Sequence, residues 1–124
     1  MRVFKTKTFA KWARKEAITD KVLLNAVLEI ENGLVDAKLG GHVFKKRIPA
    51  PGRGKRGGAR SILAYQTQNK AFFIVGYSKN EKINLDYHDL NIAKEFAKEL
   101  LNASSSEITK LLKEGIIIEV RYET

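Results

Sequence analysis

The chain has no cysteine, one Trp, one Met, two His and two Pro in 124 residues. Without cysteine there is no disulfide scaffold, no thiolate zinc site and no cysteine nucleophile. His42 and His88 stand 46 positions apart, so no metal-ligand spacing is visible and no metal is expected. Long apolar runs are missing as well. The longest, Ala71–Phe72–Phe73–Ile74–Val75–Gly76–Tyr77, falls far short of the about 20 residues that cross a bilayer. Lys5, Lys7, Lys11, Arg14 and Lys15 break up any secretory apolar region near the start. The expectation is a cytoplasmic protein without a membrane partner. No G-x-S-x-G stretch marks a serine nucleophile.

The most telling absence is acidic. Lys and Arg total 23 against 14 Asp and Glu, a net charge of +9. Between Ala37 and Asn80 stand ten basic residues, Lys38, Lys45, Lys46, Arg47, Arg53, Lys55, Arg56, Arg60, Lys70 and Lys79, and no Asp or Glu. The other 80 residues carry 13 basic and 14 acidic side chains and are nearly neutral. Charge of one sign repels itself in a folded chain, so the segment reads as a footprint for a polyanion. The plainer alternative is a solvated basic face that only aids solubility. Missing carboxylates also argue against a nuclease that holds Mg²⁺ between paired acids.

At about 100–200 residues per domain, residues 1–124 make one domain. Met1–Lys5 fits an opening strand. Thr6 or Thr8 caps a helix through about Lys15, with Phe9, Trp12 and Ala13 on one face; that stripe makes Trp12 a core residue. A second helix runs from Thr19 or Asp20 to about Asn32, carries Leu23, Ala26, Val27 and Ile30, and stops at Gly33. The two form an antiparallel hairpin. Gly40–Gly41 is a turn, and Val43–Ile48 is a strand. Pro49–Gly58, with two prolines and four glycines, is expected to be a loop. Strands Ala59–Thr67 and Lys70–Tyr77 flank a Gln68–Asn69 turn and complete an antiparallel meander. Asn80–Leu85 fits one helical turn. A helix from Tyr87 or His88 to Asn102 shows Leu90, Ala93, Phe96, Ala97, Leu100 and Leu101 on one core-facing stripe. Ser104 to Glu107 is a capping box opening a short helix that Gly115 closes, and Ile116–Val120 is a last strand or docked tail. The expected class is α+β: an N-terminal helical hairpin on a curved antiparallel sheet of three to four strands, plus C-terminal helices.

Gly52, Gly54 and Gly57 match G-x-G-x-x-G, but they precede a strand instead of opening a helix, and no acid follows for 23 positions. Lys55 is followed by Arg56, so a Walker loop fails too. No nucleotide cofactor is expected. The glycines instead expose backbone N–H groups amid Arg53, Lys55, Arg56 and Arg60, an anion-holding arrangement. Lys45 and Arg47 share a strand face at period two while Lys46 points the other way; Tyr77 and Lys79 share a face on the last meander strand. Cations and a phenol without a carboxylate suit cleavage of RNA through its own 2′-OH, which needs a base, phosphate neutralisation and a proton for the leaving 5′-oxygen. A lysine crowded by cations gives up its proton more readily, so Lys45 or Lys55 is the candidate base. Arg47 and Arg60 would hold the phosphate, and Tyr77 would stack on a base or move a proton. Plain phosphate contact without catalysis, and half-buried packing for Tyr77, are the competing explanations.

Arg2–Val3–Phe4–Lys5–Thr6–Lys7–x–Phe9–x–x–Trp12–Ala13, Gly33–Leu34–x–x–Ala37–x–Leu39–Gly40–Gly41, Lys45–x–Arg47–Ile48, Gly52–x–Gly54–Lys55–x–Gly57–Gly58–x–Arg60, Phe72–Phe73–x–x–Gly76–Tyr77–x–Lys79–x–Glu81 and Glu99–Leu100–Leu101 together resemble the RelE-type toxins of bacterial type II toxin–antitoxin modules. The resemblance covers nearly the whole chain. It implies a microbial-ribonuclease-like α+β fold, cleavage of mRNA in the ribosomal A site and inhibition by an antitoxin, often a helix-turn-helix protein. By position, Lys45, Arg47, Lys55, Arg60, Tyr77 and Lys79 match the catalytic basic and aromatic set, with Lys46, Arg53 and Arg56 as further RNA contacts. Many relatives rely on a C-terminal Tyr or His beyond the last core strand, whereas this chain continues past Lys79 into about 45 further residues, with a C-terminal extension over roughly residues 103–124. A gyrase inhibitor of the ParE branch and a non-catalytic RNA-binding module are the alternatives. An acidic antitoxin segment is expected across the Lys45–Arg60 surface.

Overall fold

A computed structural model describes residues 1–51, 54–78 and 87–121, with the side chains of 54–57 and 87–89 left aside. The elements run β1 (Arg2–Thr6), α1 (Lys7–Lys15), α2 (Asp20–Glu31), β2 (Ala37–Gly40), β3 (Val43–Ala50), β4 (Gly54–Tyr65), β5 (Lys70–Ser78), α3 (Tyr87–Leu101), α4 (Ser105–Lys113) and β6 (Ile117–Glu119). The expected Asn80–Leu85 helical turn lies outside the described residues.

Helix boundaries follow local chemistry. Thr6 accepts from the Phe9 amide to cap α1, and Thr19 accepts from Val22 to cap α2. Beyond α2, Gly33 takes φ of 84°, a left-handed conformation open to glycine at little cost. Ser104 and Glu107 exchange the two bonds of a capping box at α4.

The sheet differs from expectation. Among the described residues it has six strands in the order β2-β3-β4-β5-β1-β6, and it is mixed, because β1 lies parallel to β5 with Phe4 opposite Phe72. Strand β6 pairs antiparallel with the free side of β1. Strand β2 was unforeseen, because four residues are too few to show alternation. The region expected to be a loop over Pro49–Gly58 is largely strand: β3 continues to Ala50 and β4 starts at Gly54, which pairs with Ala50. Glycine weakens a strand but keeps both backbone hydrogen-bonding groups, so it does not forbid one. The register shift falls between Ile48 and Ala50, around Pro49, which has no N–H to give.

Both sheet faces are covered. On one, Phe9 and Ala13 of α1 and Leu23, Val27 and Ile30 of α2 pack with Ile48, Leu63 and Phe73. On the other, Ala97, Leu100 and Leu101 of α3 and Ile108 of α4 pack with Val43, Ile62, Phe72 and Ile117. A second register shift leaves Ile74 without an opposite residue on β4; its carbonyl accepts a hydrogen bond from the Thr6 hydroxyl at 2.9 Å. The half-buried Trp12 meets Phe9 edge-on at 5.3 Å between ring centroids and lies over the backbone of Gly76. Among the described residues no helix is long and apolar enough to cross a membrane.

Candidate functional site

The meander β3–β4–β5 sets the candidate residues in rows. Arg47 stands opposite Arg60, and Arg60 opposite Tyr77. These three therefore span neighbouring strands, each about 4.8 Å from the next. Lys45 lies two residues from Arg47 on the same face, opposite Ile62. Its ammonium reaches 6.0 Å from the centroid of the Tyr77 ring, within cation–π range. Four of the six expected catalytic residues thus gather at one end of one face. Lys79 and Arg53 lie outside the described residues, as do the side chains of Lys55 and Arg56.

The four differ in their surroundings. Tyr77 is buried, 7% exposed, in the cluster that holds Val43, Ile62 and the α3 residues, with the Lys45 ammonium beside its ring. Arg60 has its Nη1 buried without a hydrogen-bond partner among the described residues. A desolvated guanidinium nitrogen without an acceptor is costly, and a like charge directly across the ladder adds to that cost. An anion resting between Arg47 and Arg60 would relieve both.

Arg47 has a partner that sequence reading missed. Its backbone N–H donates to Oδ2 of Asp36 at 2.6 Å, and its Nε donates to Oδ1 at 2.7 Å. Burial pushes the Asp36 carboxyl up, but the hydrogen bonds from Arg47 and its charge outweigh burial and hold it below the usual carboxylate value. Asp36 sits one residue outside the acid-free segment. Only the pairing of Ala37 with Lys45 brings it beside Arg47, and β2 was not visible in the sequence.

Lys46, expected to touch RNA, sits apart from the other candidates. Alternation sends it to the opposite face, where it is 4% exposed. Its Nζ donates to the Leu34 carbonyl at 2.9 Å and lies 3.2 Å from Oε1 of Glu29 on α2. An ammonium so committed ties α2 to β3 and does not face a ligand on the Lys45 side.

No curated protein matches the chain significantly in sequence. The family model described as the RelE toxin of the RelE/RelB toxin–antitoxin system matches residues 1–120. That span contains every element described above, and the chain belongs to the RelE toxin family, as the toxin of a toxin–antitoxin module whose partner is an antitoxin.

Proposed function

We propose that this toxin is an endoribonuclease that cuts mRNA on the ribosome through the RNA's own 2′-OH and so stops translation in the cytoplasm. The observation that carries this reading is the gathering of Lys45, Arg47, Arg60 and Tyr77 on one face of the meander. Arg60, whose Nη1 lacks a partner among the described residues, takes a non-bridging phosphate oxygen, and Arg47 takes the other from across the strand pair. Lys45, beside the Tyr77 ring, takes the 2′-OH proton as the neutral amine. The 2′-oxygen then attacks phosphorus, the P–O5′ bond breaks, and the 5′-oxygen leaves with a proton taken from water. The products are a 2′,3′-cyclic phosphate and a 5′-hydroxyl end. The role of Tyr77 is support for Lys45. The antitoxin inhibits by laying acidic residues across the Lys45–Arg60 surface, where charge favours them.

In vitro translation followed by primer extension on the message tests this. Wild type should leave discrete cuts with cyclic-phosphate ends. Arg60→Ala should cut about 10²-fold or more slowly, the cost of losing one charge-stabilising group. Intact message together with lost gyrase activity would replace this reading by the gyrase-inhibitor one. Intact message with retained RNA binding would leave a binding module.

A further inference from the structure

We infer that Asp36 is a positioning residue for RNA: it fixes the Arg47 guanidinium so that its two terminal Nη groups face the phosphate. The inference rests on the nuclease reading, in which Arg47 is a phosphate ligand. It goes beyond that reading by giving an acidic residue a positive part in binding a polyanion.

The argument is geometric. A carboxylate normally meets arginine fork to fork and consumes two side-chain nitrogens. Here the two oxygens of Asp36 are divided, Oδ2 on the Arg47 backbone N–H and Oδ1 on Nε. Among the described residues, one of the three guanidinium nitrogens is used. Among the described residues no partner takes either Nη, and the side chain is 45% exposed. The backbone contact anchors Asp36 to the residue it orients, so the carboxylate cannot follow the guanidinium elsewhere. A guanidinium is planar, so fixing Nε fixes the plane in which both Nη groups lie.

The surroundings of Arg47 are otherwise built by α2. Glu29, which already meets Lys46, lines the same small cleft of about 160 Å³ between α2 and β3 that Arg47 and Pro49 line. Asp36 itself belongs to the connection entering β2, where its own N–H donates to the Lys45 carbonyl at 3.2 Å. One residue thus holds the Lys45 backbone and the Arg47 guanidinium together at the site.

The decisive feature is the sign of the effect. If Asp36 only neutralised Arg47, Asp36→Asn would add a net positive charge and tighten RNA binding. If it positions Arg47, the same change weakens binding despite the better charge balance. The probe is a short 2′-O-methyl single-stranded RNA, which binds without being cut, titrated against full-length wild type, Asp36→Asn, Arg47→Ala and the double variant. We expect a three- to tenfold loss for Asp36→Asn and no further loss when it is added to Arg47→Ala. The slope of log affinity against log salt should drop by about one for Arg47→Ala and stay unchanged for Asp36→Asn. Equal or tighter binding by Asp36→Asn, or a loss of the same size in the Arg47→Ala background, overturns the inference. Should wild type bind no better than Arg60→Ala, the site reading itself falls and takes this inference with it. Asp36→Glu, which keeps the charge and both acceptors, supplies a second variant should the Asn form not fold, and it is expected to retain more binding than Asp36→Ala.

Discussion

Lys45 and Lys46 are neighbours in sequence and opposites in role. One lies over the Tyr77 ring on the candidate RNA face; the other is buried under α2 against Glu29 and the Leu34 carbonyl. Removing the buried one leaves a carboxylate and a carbonyl without their donor. Lys46→Ala should therefore cost about 2–4 kcal/mol, somewhat under the full value for a wholly buried pair because Glu29 keeps some solvent. Lys45→Ala should cost well under 1 kcal/mol in stability but abolish most of the cutting. Urea unfolding and message cleavage, measured side by side on the two variants, should show opposite losses. A pair that lost both properties equally would show that burial does not separate their roles. The alternation that predicts opposite faces was legible at Val43–Ile48, yet which face was interior was not, because both faces of this sheet are covered by helices.

At the scale of elements, the contact between α1 and β5 depends on one missing side chain. A Cβ placed on Gly76 would lie 2.1 Å from Cε3 of Trp12, and an indole ring fixed by Phe9 has little room to yield. Gly76→Ala should destabilise by about 1–3 kcal/mol, the usual penalty for overpacking, and Trp12→Leu added to it should recover part of that loss. Thermal unfolding of the single and double variants checks this; additive losses would mean that the ring is not what Gly76 accommodates. Trp12 was legible as a packing residue from its place beside Phe9 on a helical stripe. Its seat was not, because nothing local links a helix near the start to a glycine 64 positions on. Helix starts were the most readable features, since Thr6, Thr19 and Ser104 each accept from an amide three residues ahead. The short strands β2 and β6 gain their identity from partners far from their own composition, and Asp36 was hidden with β2.

Over the whole molecule the charge imbalance of the middle segment is held by a frame whose ends are joined. Strand β6 closes the sheet on β1, where the Arg2 guanidinium meets Glu119 through Nε at 3.0 Å and Nη2 at 3.1 Å. Nearby, Asp20 accepts from Lys5 at 2.8 Å and from the Arg121 backbone at 3.2 Å. The hydrogen bond from Arg2 holds the Glu119 carboxyl below its ordinary value of 4.5 despite opposing burial, and Arg2 and Arg121 add their charge. Asp36 is likewise held below 3.8. In the range between the lowered folded values and the ordinary ones, the unfolded chain binds more protons than the folded one, so stability rises with pH there and flattens above it. Glu119→Gln removes one of these contributions, about 0.5–1 kcal/mol for a pair in which Arg2 remains half exposed. The gap between wild type and Glu119→Gln, measured by urea unfolding, should be fully open at pH 6–7 and close as pH falls through the lowered Glu119 value. Added salt should narrow it at neutral pH, since the Arg2 side of the pair is open to solvent. A gap that stayed constant into acid would mean that the Arg2–Glu119 pair does not carry the joining of β1 to β6, leaving that closure to Ile117, Val120 and the backbone bond from Val120 to the Val3 carbonyl.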